Sequence, residues 1–202
     1  MERLSLAEGK AFFAANHYAK GVGNAAMLFG QRGTDGNLVA VAAYAVPCSQ
    51  VARKSPLGEE YHEGVYTLQR LARVAQPPEG FVLSAFLAQS LKAFSEYRPN
   101  AVFVTAFSDT TEGHHGGIYQ ATNWLYFGTT GGRAKFWLDA DGRLRHPRQC
   151  GVNVDGVSKG WTPVMRESKH RYGIFIGNKR ARKAASKSLL WTPQDYPKPS
   201  AS

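Results

Sequence analysis

The chain has 202 residues, and 43% of them are hydrophobic, which is enough to bury the core of one ordinary domain. No apolar run approaches the ~20 residues of a transmembrane helix, and the first residues lack the charged-then-apolar order of a signal peptide. The two cysteines, Cys48 and Cys150, are far apart and lack metal-ligand spacing, so neither a disulfide framework nor a zinc finger is indicated. We therefore expect a cytoplasmic protein without a membrane partner.

The net charge of +10 lies almost entirely in the last third of the chain. Residues 141–202 carry 13 Lys or Arg against 4 Asp or Glu, whereas residues 1–140 are nearly neutral. Clustered cations neutralise phosphates and release counterions, so this distribution predicts a nucleic-acid partner. The predicted DNA-binding residues are Lys179, Arg180, Arg182, Lys183 and Lys187. The alternative is a basic end that only keeps the protein soluble.

Hydrophobic spacing predicts, in chain order, a helix at 5–16, strands at 25–29 and 38–46 joined by a turn at 31–37, a strand at 63–74, a helix at 81–94, a buried strand at 101–107, a helix at 117–127, and strands at 134–138 and 171–176. This order is typical of an acyltransferase-like α/β fold, in which helices flank a mixed sheet. We expect a single catalytic domain at 1–178. Beyond Asn178 the periodic pattern ends, so residues 179–202 are predicted to form a basic, mobile tail.

The most informative segment spans residues 107–128. Asp109 lies where the buried strand ends, and a polar, Gly-rich turn leads to the next predicted helix. In open α/β sheets, such a strand end is a usual position for a ligand site. Tyr119, Asn123 and Tyr126 would share one face of that helix at i, i+4 and i+7. Alternatively, Asp109 only caps a turn and the tyrosines are packing residues.

The segment 113–128, Gly-His-His-Gly-Gly-Ile-Tyr-Gln-Ala-Thr-Asn-Trp-Leu-Tyr-Phe-Gly, resembles the Mom DNA-modification proteins of bacteriophages and prophages. The other matching motifs occur in the same order as in that family: Asn16-His-Tyr18, Leu68-Gln-Arg-Leu71, Leu144-Arg-His-Pro-Arg148 and Tyr196-Pro-Lys198. The resemblance implies a fold related to the GNAT-type N-acetyltransferases. It also implies transfer of a carbamoylmethyl group to N6 of adenine in double-stranded DNA, which protects phage DNA from host restriction enzymes.

By motif position, the resemblance places the functional residues of the family on Tyr18, Arg70, Asp109 and Tyr119. We expect Asp109 to accept a hydrogen bond and then a proton from N6, and Arg70 to hold an oxygen of the donor. The strand pattern supports Arg70 independently, because alternation places it on one face with Tyr66, Leu68, Ala72 and Val74. Among these apolar side chains its guanidinium needs an anion or a cavity. An ion pair between Arg70 and Asp109 is the structural alternative.

Adenine N6 lies within a stacked base pair, so the base is expected to leave the helix before it reacts. Tyr18, Tyr119 and Trp124 are the predicted stacking partners of the extruded ring. The remaining predicted substrate-binding residues are His17, Ser108 and Asn123.

Iron is a further candidate ligand. His17, His114 and Asp109 could supply a site with two histidines and one carboxylate. The alternative is that His114 and His115 belong to a solvated turn.

The donor of the two-carbon unit, glycyl or acetyl, is not identified by the sequence. Acetyl-CoA is one option, but the turn at 73–80 departs from the usual phosphate-binding pattern, Gln/Arg-x-x-Gly-x-Gly/Ala. Pro77 and Pro78 have no amide proton, and Glu79 would repel a phosphate. Two other functions stay open, an N-acetyltransferase of a small amine or protein and a non-catalytic DNA-binding accessory protein. The sequence predicts no oligomeric state.

Overall fold

The computed structural model describes residues 1–25, 27–131, 134–142, 144–145 and 159–197. The strands are β1 Glu2–Leu4, β2 Met27–Arg32, β3 Leu38–Ala45, β4 Val65–Arg73, β5 Phe103–Asp109, β6 Leu125–Thr129, β7 Ala134–Leu138, β8 Leu144–Arg145, β9 Thr162–Arg166 and β10 Lys169–Phe175. The helices are α1 Leu6–Asn16, α2 Gln50–Lys54, α3 Gly58–Tyr61, α4 Leu83–Tyr97, α5 Gly117–Gln120 and α6 Lys179–Ser186. Within these residues, no helix has the length and apolar character needed to span a membrane.

Seven strands form a mixed sheet in the order β1-β2-β3-β4-β5-β10-β6. Only the β4–β5 pair is parallel, and its crossover is α4. A second sheet, β8-β7-β9, is inserted in the chain between β6 and β10. The predicted mixed α/β fold with flanking helices is confirmed.

The helices cover both faces of the large sheet. On one face, Phe86, Leu87 and Phe94 of α4 are almost fully buried, and Tyr44 stacks on Phe94 with ring centroids 4.4 Å apart. On the other face, α1 buries Phe13. Because each face removes apolar side chains from water, the sheet is held from both sides. The predicted helices at 5–16 and 81–94 and strands at 38–46 and 134–138 are confirmed within about two to three residues.

Strands β4 and β5 pair only over residues 65–68 and 103–106, and then part. At the same point β4 contains a bulge, since Arg70 is opposite Ala43 whereas Leu68 is opposite the next residue, Tyr44. A bulge reverses the alternation of side chains. Arg70 therefore lies on the α1 face, and the prediction that it shares a face with Leu68 is wrong.

The predicted helix at 117–127 is also wrong, because α5 ends at Gln120 and β6 begins at Leu125. The Thr122 hydroxyl donates to the Ile118 carbonyl at 2.8 Å, and Asn123 adopts a left-handed conformation with φ 59°. Both features favour a turn over a continued helix. Tyr119, Asn123 and Tyr126 consequently do not share a helix face.

The C-terminal segment has regular structure as far as residue 186 and packs on the sheet beyond it. Asn178 caps α6 through a 2.8 Å hydrogen bond from the Ala181 amide. Trp191 packs on Phe127 with centroids 5.3 Å apart, and the Tyr196 hydroxyl donates to the Trp124 carbonyl at 2.7 Å. Regular structure therefore extends past Asn178, which the sequence pattern did not predict, whereas the mobility of residues 179–202 stays a prediction.

Candidate active site

A cavity of about 1000 Å³ opens where β4 and β5 part. Its walls come from the ends of both strands, the loop 113–117, α5, α2 and the segment after α1. The predicted site residues that line it are His17, Tyr18, Arg70, Ser108, Asp109, His114 and Tyr119. These residues are scattered over 103 positions of sequence (from 17 to 119), and the fold brings them to one cavity.

Two predicted substrate-binding residues do not line this cavity. Asn123 is exposed, on the turn between α5 and β6. Trp124 is fully buried and packs against Tyr119 with centroids 5.1 Å apart. The predicted stacking of Trp124 on a substrate ring is therefore wrong. Trp124 instead packs against Tyr119 within the core.

The carboxylate of Asp109 is 2% exposed and accepts hydrogen bonds from Arg166 Nη2 at 2.7 Å and from the Thr111 amide at 3.1 Å. Lys169 Nζ lies 3.1 Å from the same carboxylate. Burial alone would raise the pKa of Asp109, but the contacts with Arg166 and Lys169 outweigh it, so the pKa lies below its ordinary value. Asp109 is therefore a firm hydrogen-bond acceptor and a weak base at neutral pH.

The ion pair predicted between Arg70 and Asp109 is wrong, because Asp109 pairs with Arg166 and Lys169. Sequence reasoning missed both partners. Lys169 is opposite Asp109 in the β5–β10 register, a contact that becomes visible only once those strands are known to be neighbours. Arg166 arrives from the inserted sheet, and no sequence pattern places it there.

Arg70 is half-buried without a carboxylate partner among the described residues. Its Nε donates to the Gly21 carbonyl at 3.2 Å and its Nη1 to the Gln69 carbonyl at 2.7 Å. Burial lowers the pKa of Arg70 from its ordinary value, yet a guanidinium stays charged in proteins. An unneutralised cation in a cavity wall is suited to hold an anion or a developing negative charge.

Arg171 is a second such cation, and sequence reasoning did not select it. It lines the cavity, lies 4.2 Å above the Trp191 ring and donates from Nη2 to the Phe127 carbonyl at 3.0 Å. Its Nε is buried with no hydrogen-bond partner in the described structure, and burial lowers its pKa. The sequence does contain a weak signal for Arg171, because this residue alternates with the buried Tyr172 along β10.

Aromatic rings form one side of the cavity. Tyr18 is 45% exposed, stacks on His17 with centroids 4.4 Å apart and meets the edge of His114. Burial, with the charge of Arg70 second, lowers the pKa of His17 to about 4, so its ring is neutral at pH 7. Burial raises the pKa of Tyr119, which keeps that phenol protonated. The wall therefore offers neutral, stackable surfaces.

The predicted iron site finds no support. Among the residues described, no group of three or more His, Cys, Asp or Glu is arranged to hold a metal ion. Both cations beside Asp109 occupy its carboxylate, and Nδ1 of His17 accepts a hydrogen bond from the Ala19 amide at 3.0 Å.

The turn ahead of α4 does not fit a coenzyme pyrophosphate. The Phe81 amide donates to the Pro78 carbonyl at 3.1 Å, and Pro77 and Pro78 have no amide to offer. An incoming phosphate would also meet Glu79. The residues of this turn therefore do not fit coenzyme A.

A mixed sheet whose central parallel strands part around a ligand-sized cavity defines this molecule as an α/β protein of acyltransferase-like architecture. The model of the Mom protein family matches residues 1–198, and the chain belongs to that family.

The solved structures that resemble the chain include three acetyltransferases, by the names given to them. The spermidine/spermine N-acetyltransferase SpeG from Vibrio cholerae, in mutant form, has a TM-score of 0.48 at 8% identity, covering 92% of this chain and 96% of its own. A protein from Desulfovibrio desulfuricans assigned to the GNAT acetyltransferase family has a TM-score of 0.45 at 10% identity, covering 86% and 96%. One assigned as a phosphinothricin N-acetyltransferase has 0.43 at 9%, covering 87% and 83%. The comparison with curated proteins finds no match.

Proposed function

We propose that this protein is a transferase that attaches a carbamoylmethyl group to N6 of adenine in double-stranded phage or prophage DNA, protecting it from host restriction. The observation that carries the proposal is the convergence of Tyr18, Arg70, Asp109 and Tyr119 on one cavity in a chain that matches the Mom family over residues 1–198. The family resemblance selected these four residues before their positions were known.

In this proposal the adenine leaves the DNA helix and enters the cavity beside Tyr18, at a cost of a few kcal/mol. The exposed face of Tyr18, backed by the His17 ring, supplies a stacking surface that recovers part of this cost. A neutral His17 suits this role, because it adds no charge beneath the base.

Bond formation at N6 then needs an acceptor for its hydrogen and a stabiliser for the donor. The N6 lone pair attacks the CH₂ carbon of the donor, the bond from that carbon to its leaving group breaks, and the leaving group keeps the electron pair. Asp109 accepts a hydrogen bond from N6–H and orients the amine, and the N6 proton is released to water because the lowered pKa of Asp109 makes it a weak base. Arg70 holds the carbonyl oxygen or the leaving group of the donor.

The cations on α6 supply DNA affinity in this proposal. Lys179, Arg180, Arg182, Lys183 and Lys187 are all exposed. No acidic side chain pairs with them in the described structure, and the first turn of α6 contains no acidic residue. Repulsion among like charges on one short helix is relieved when phosphates neutralise them.

Mass spectrometry of nucleosides from bacterial DNA tests the proposal. Expression of the wild-type protein should yield a deoxyadenosine heavier by one carbamoylmethyl unit. An Asp109→Asn variant of equal soluble yield is the matched control and should give none. Unmodified adenine together with an acetylated small amine or protein would instead support the N-acetyltransferase function. No covalent product with intact DNA binding would support an accessory protein.

A further inference from the structure

Gln69 is the extra residue of the β4 bulge, between Leu68 and Arg70. A bulge changes the direction in which the side chain of its extra residue points, and bulges are common beside active sites. Gln69 lines the same cavity as Arg70 and Asp109. Its main-chain carbonyl accepts the hydrogen bond from Arg70 Nη1 at 2.7 Å, so the two neighbours are held together.

The side-chain amide of Gln69 is not satisfied within the described structure. Its Oε1 is buried without a hydrogen-bond partner in the described structure. The backbone of Gly23 passes so close that a Cβ there would lie 2.6 Å from Nε2. Residue 23 also has φ +62°, a left-handed backbone conformation that favours glycine.

A buried amide without a partner is costly, and native proteins keep such groups where they serve a ligand. A carboxamide offers one acceptor and one donor side by side. The amino edge of adenine offers the complementary pair, the N6–H donor beside a ring-nitrogen acceptor, and glutamine forms this bidentate pair with adenine in DNA complexes. Hypoxanthine has an oxygen in place of the amine and cannot donate there.

We propose that Gln69 reads the amino edge of the extruded base and selects adenine over bases with an oxygen at that position. The proposal rests on the proposed function and adds a specificity residue to it. Gln69 accepts a hydrogen bond from one N6–H and donates to the adjacent ring nitrogen, while Asp109 accepts the other N6–H. The amine is thereby oriented with its lone pair toward the donor held by Arg70.

The test uses Gln69→Leu, which keeps the size and removes both hydrogen-bonding atoms, and Gln69→Glu, which keeps an acceptor and removes the donor. Gln89→Leu, on an exposed position of α4, is the matched control. Binding is measured at high salt to single-stranded thymine oligonucleotides that contain either one adenine or one hypoxanthine. The wild-type protein and Gln89→Leu should prefer adenine by about 10- to 100-fold. Gln69→Leu should lose that preference, whereas Gln69→Glu should keep part of it, because its carboxylate still accepts from N6–H.

Thermal unfolding distinguishes a role of Gln69 in recognising the base from a role in stabilising the fold. Because the buried Oε1 of Gln69 has no partner to lose in the described structure, Gln69→Leu should melt at or above the wild-type temperature while N6 modification falls by at least tenfold. A full adenine preference in Gln69→Leu, or a loss of modification that follows a lower melting temperature in both variants, would overturn the proposal. If the wild-type protein gives no modified adenine, the proposed function fails. If the wild-type protein modifies adenine and Gln69→Leu modifies it equally well, only the role of Gln69 fails.

Discussion

Nη2 of Arg166 lies 2.7 Å from Oδ2 of Asp109, so the carboxylate in the cavity is held by a residue from the separate three-stranded sheet. The same Nη2 lies 2.9 Å from Glu112, on the turn that follows β5. The inserted sheet is thereby attached to the end of β5 through one guanidinium. A displacement of β9 would change the orientation of Asp109, and with it the geometry of the site.

Arg166→Met should lower the free energy of unfolding by about 3–5 kcal/mol, because it leaves a buried carboxylate with one partner fewer. Arg32→Met is the matched control, since Arg32 pairs with Glu2 and Glu8 at the surface and such pairs contribute about 0–1 kcal/mol. Urea unfolding measures both. Equal losses in the two variants would show that burial of the Arg166 pair does not matter.

Arg70→Met should lower the rate of N6 modification by about 100-fold or more, the usual cost of removing one group that stabilises developing charge. The melting temperature should stay the same or rise, because the variant removes a half-buried cation that has no carboxylate partner in the described structure. The double variant with Asp109→Asn should be no less active than the worse single variant, since residues that act as a unit are non-additive. Arg73→Met, an exposed change on the same strand, is the control and should retain activity. Strict additivity would mean that Arg70 and Asp109 act separately.

Neutralising Arg182 and Lys183 together should weaken DNA binding and reduce the salt dependence by about one unit of slope for each lost phosphate contact. Lys10 and Lys92, which are exposed on α1 and α4, provide the charge-matched control pair. Substitution is a better test than deletion of residues 179–202, because deletion would also remove the packing of Trp191 on the sheet. Equal effects of the two pairs would indicate that only net charge matters.

His17 should make the protein less stable as the pH falls from about 6.5 to about 4. Its pKa in the folded protein is about 4, against an ordinary value of 6.5, so between these values the unfolded chain binds the proton more readily. Acidification across this window therefore favours unfolding. His17→Gln should flatten this part of the stability curve, whereas the same change at the exposed His115 should leave it steep. Denaturant melts at several pH values measure the effect, and an unchanged slope in His17→Gln would contradict the burial of its ring.

Six strands, β2, β3, β4, β5, β7 and β10, and the two long helices could be read from the sequence, because their hydrophobic periods depend only on which face is buried. Arg70 shows where that reasoning stops. A single bulge at Gln69 reversed the face of the residues after it, and a bulge depends on strand pairing and leaves no periodic signal. The helix expected at 117–127 failed for a related reason, because pairing of Leu125 and Tyr126 with β10 outweighs their local helical spacing.

Within the site, sequence identified residues that reach the cavity but not the contacts among them. Asp109 was selected from its position at a strand end, yet its partner Arg166 lies 57 positions away on a different sheet. Arg171 was missed because its alternation with the buried Tyr172 along β10 is the same pattern that a solvated arginine on a strand would show. Contacts between distant segments are set by tertiary packing, which periodicity does not encode.

We expect this cavity to modify N6 of adenine. Fragmentation mass spectrometry of DNA nucleosides tests it most directly, with the wild-type protein and the correctly folded Arg70→Met variant expressed at equal levels. The wild-type sample should contain deoxyadenosine with the carbamoylmethyl unit retained on the adenine fragment at N6, and the Arg70→Met sample should contain almost none. Unmodified adenine in the wild-type sample, or equal modification in both samples, would contradict the account.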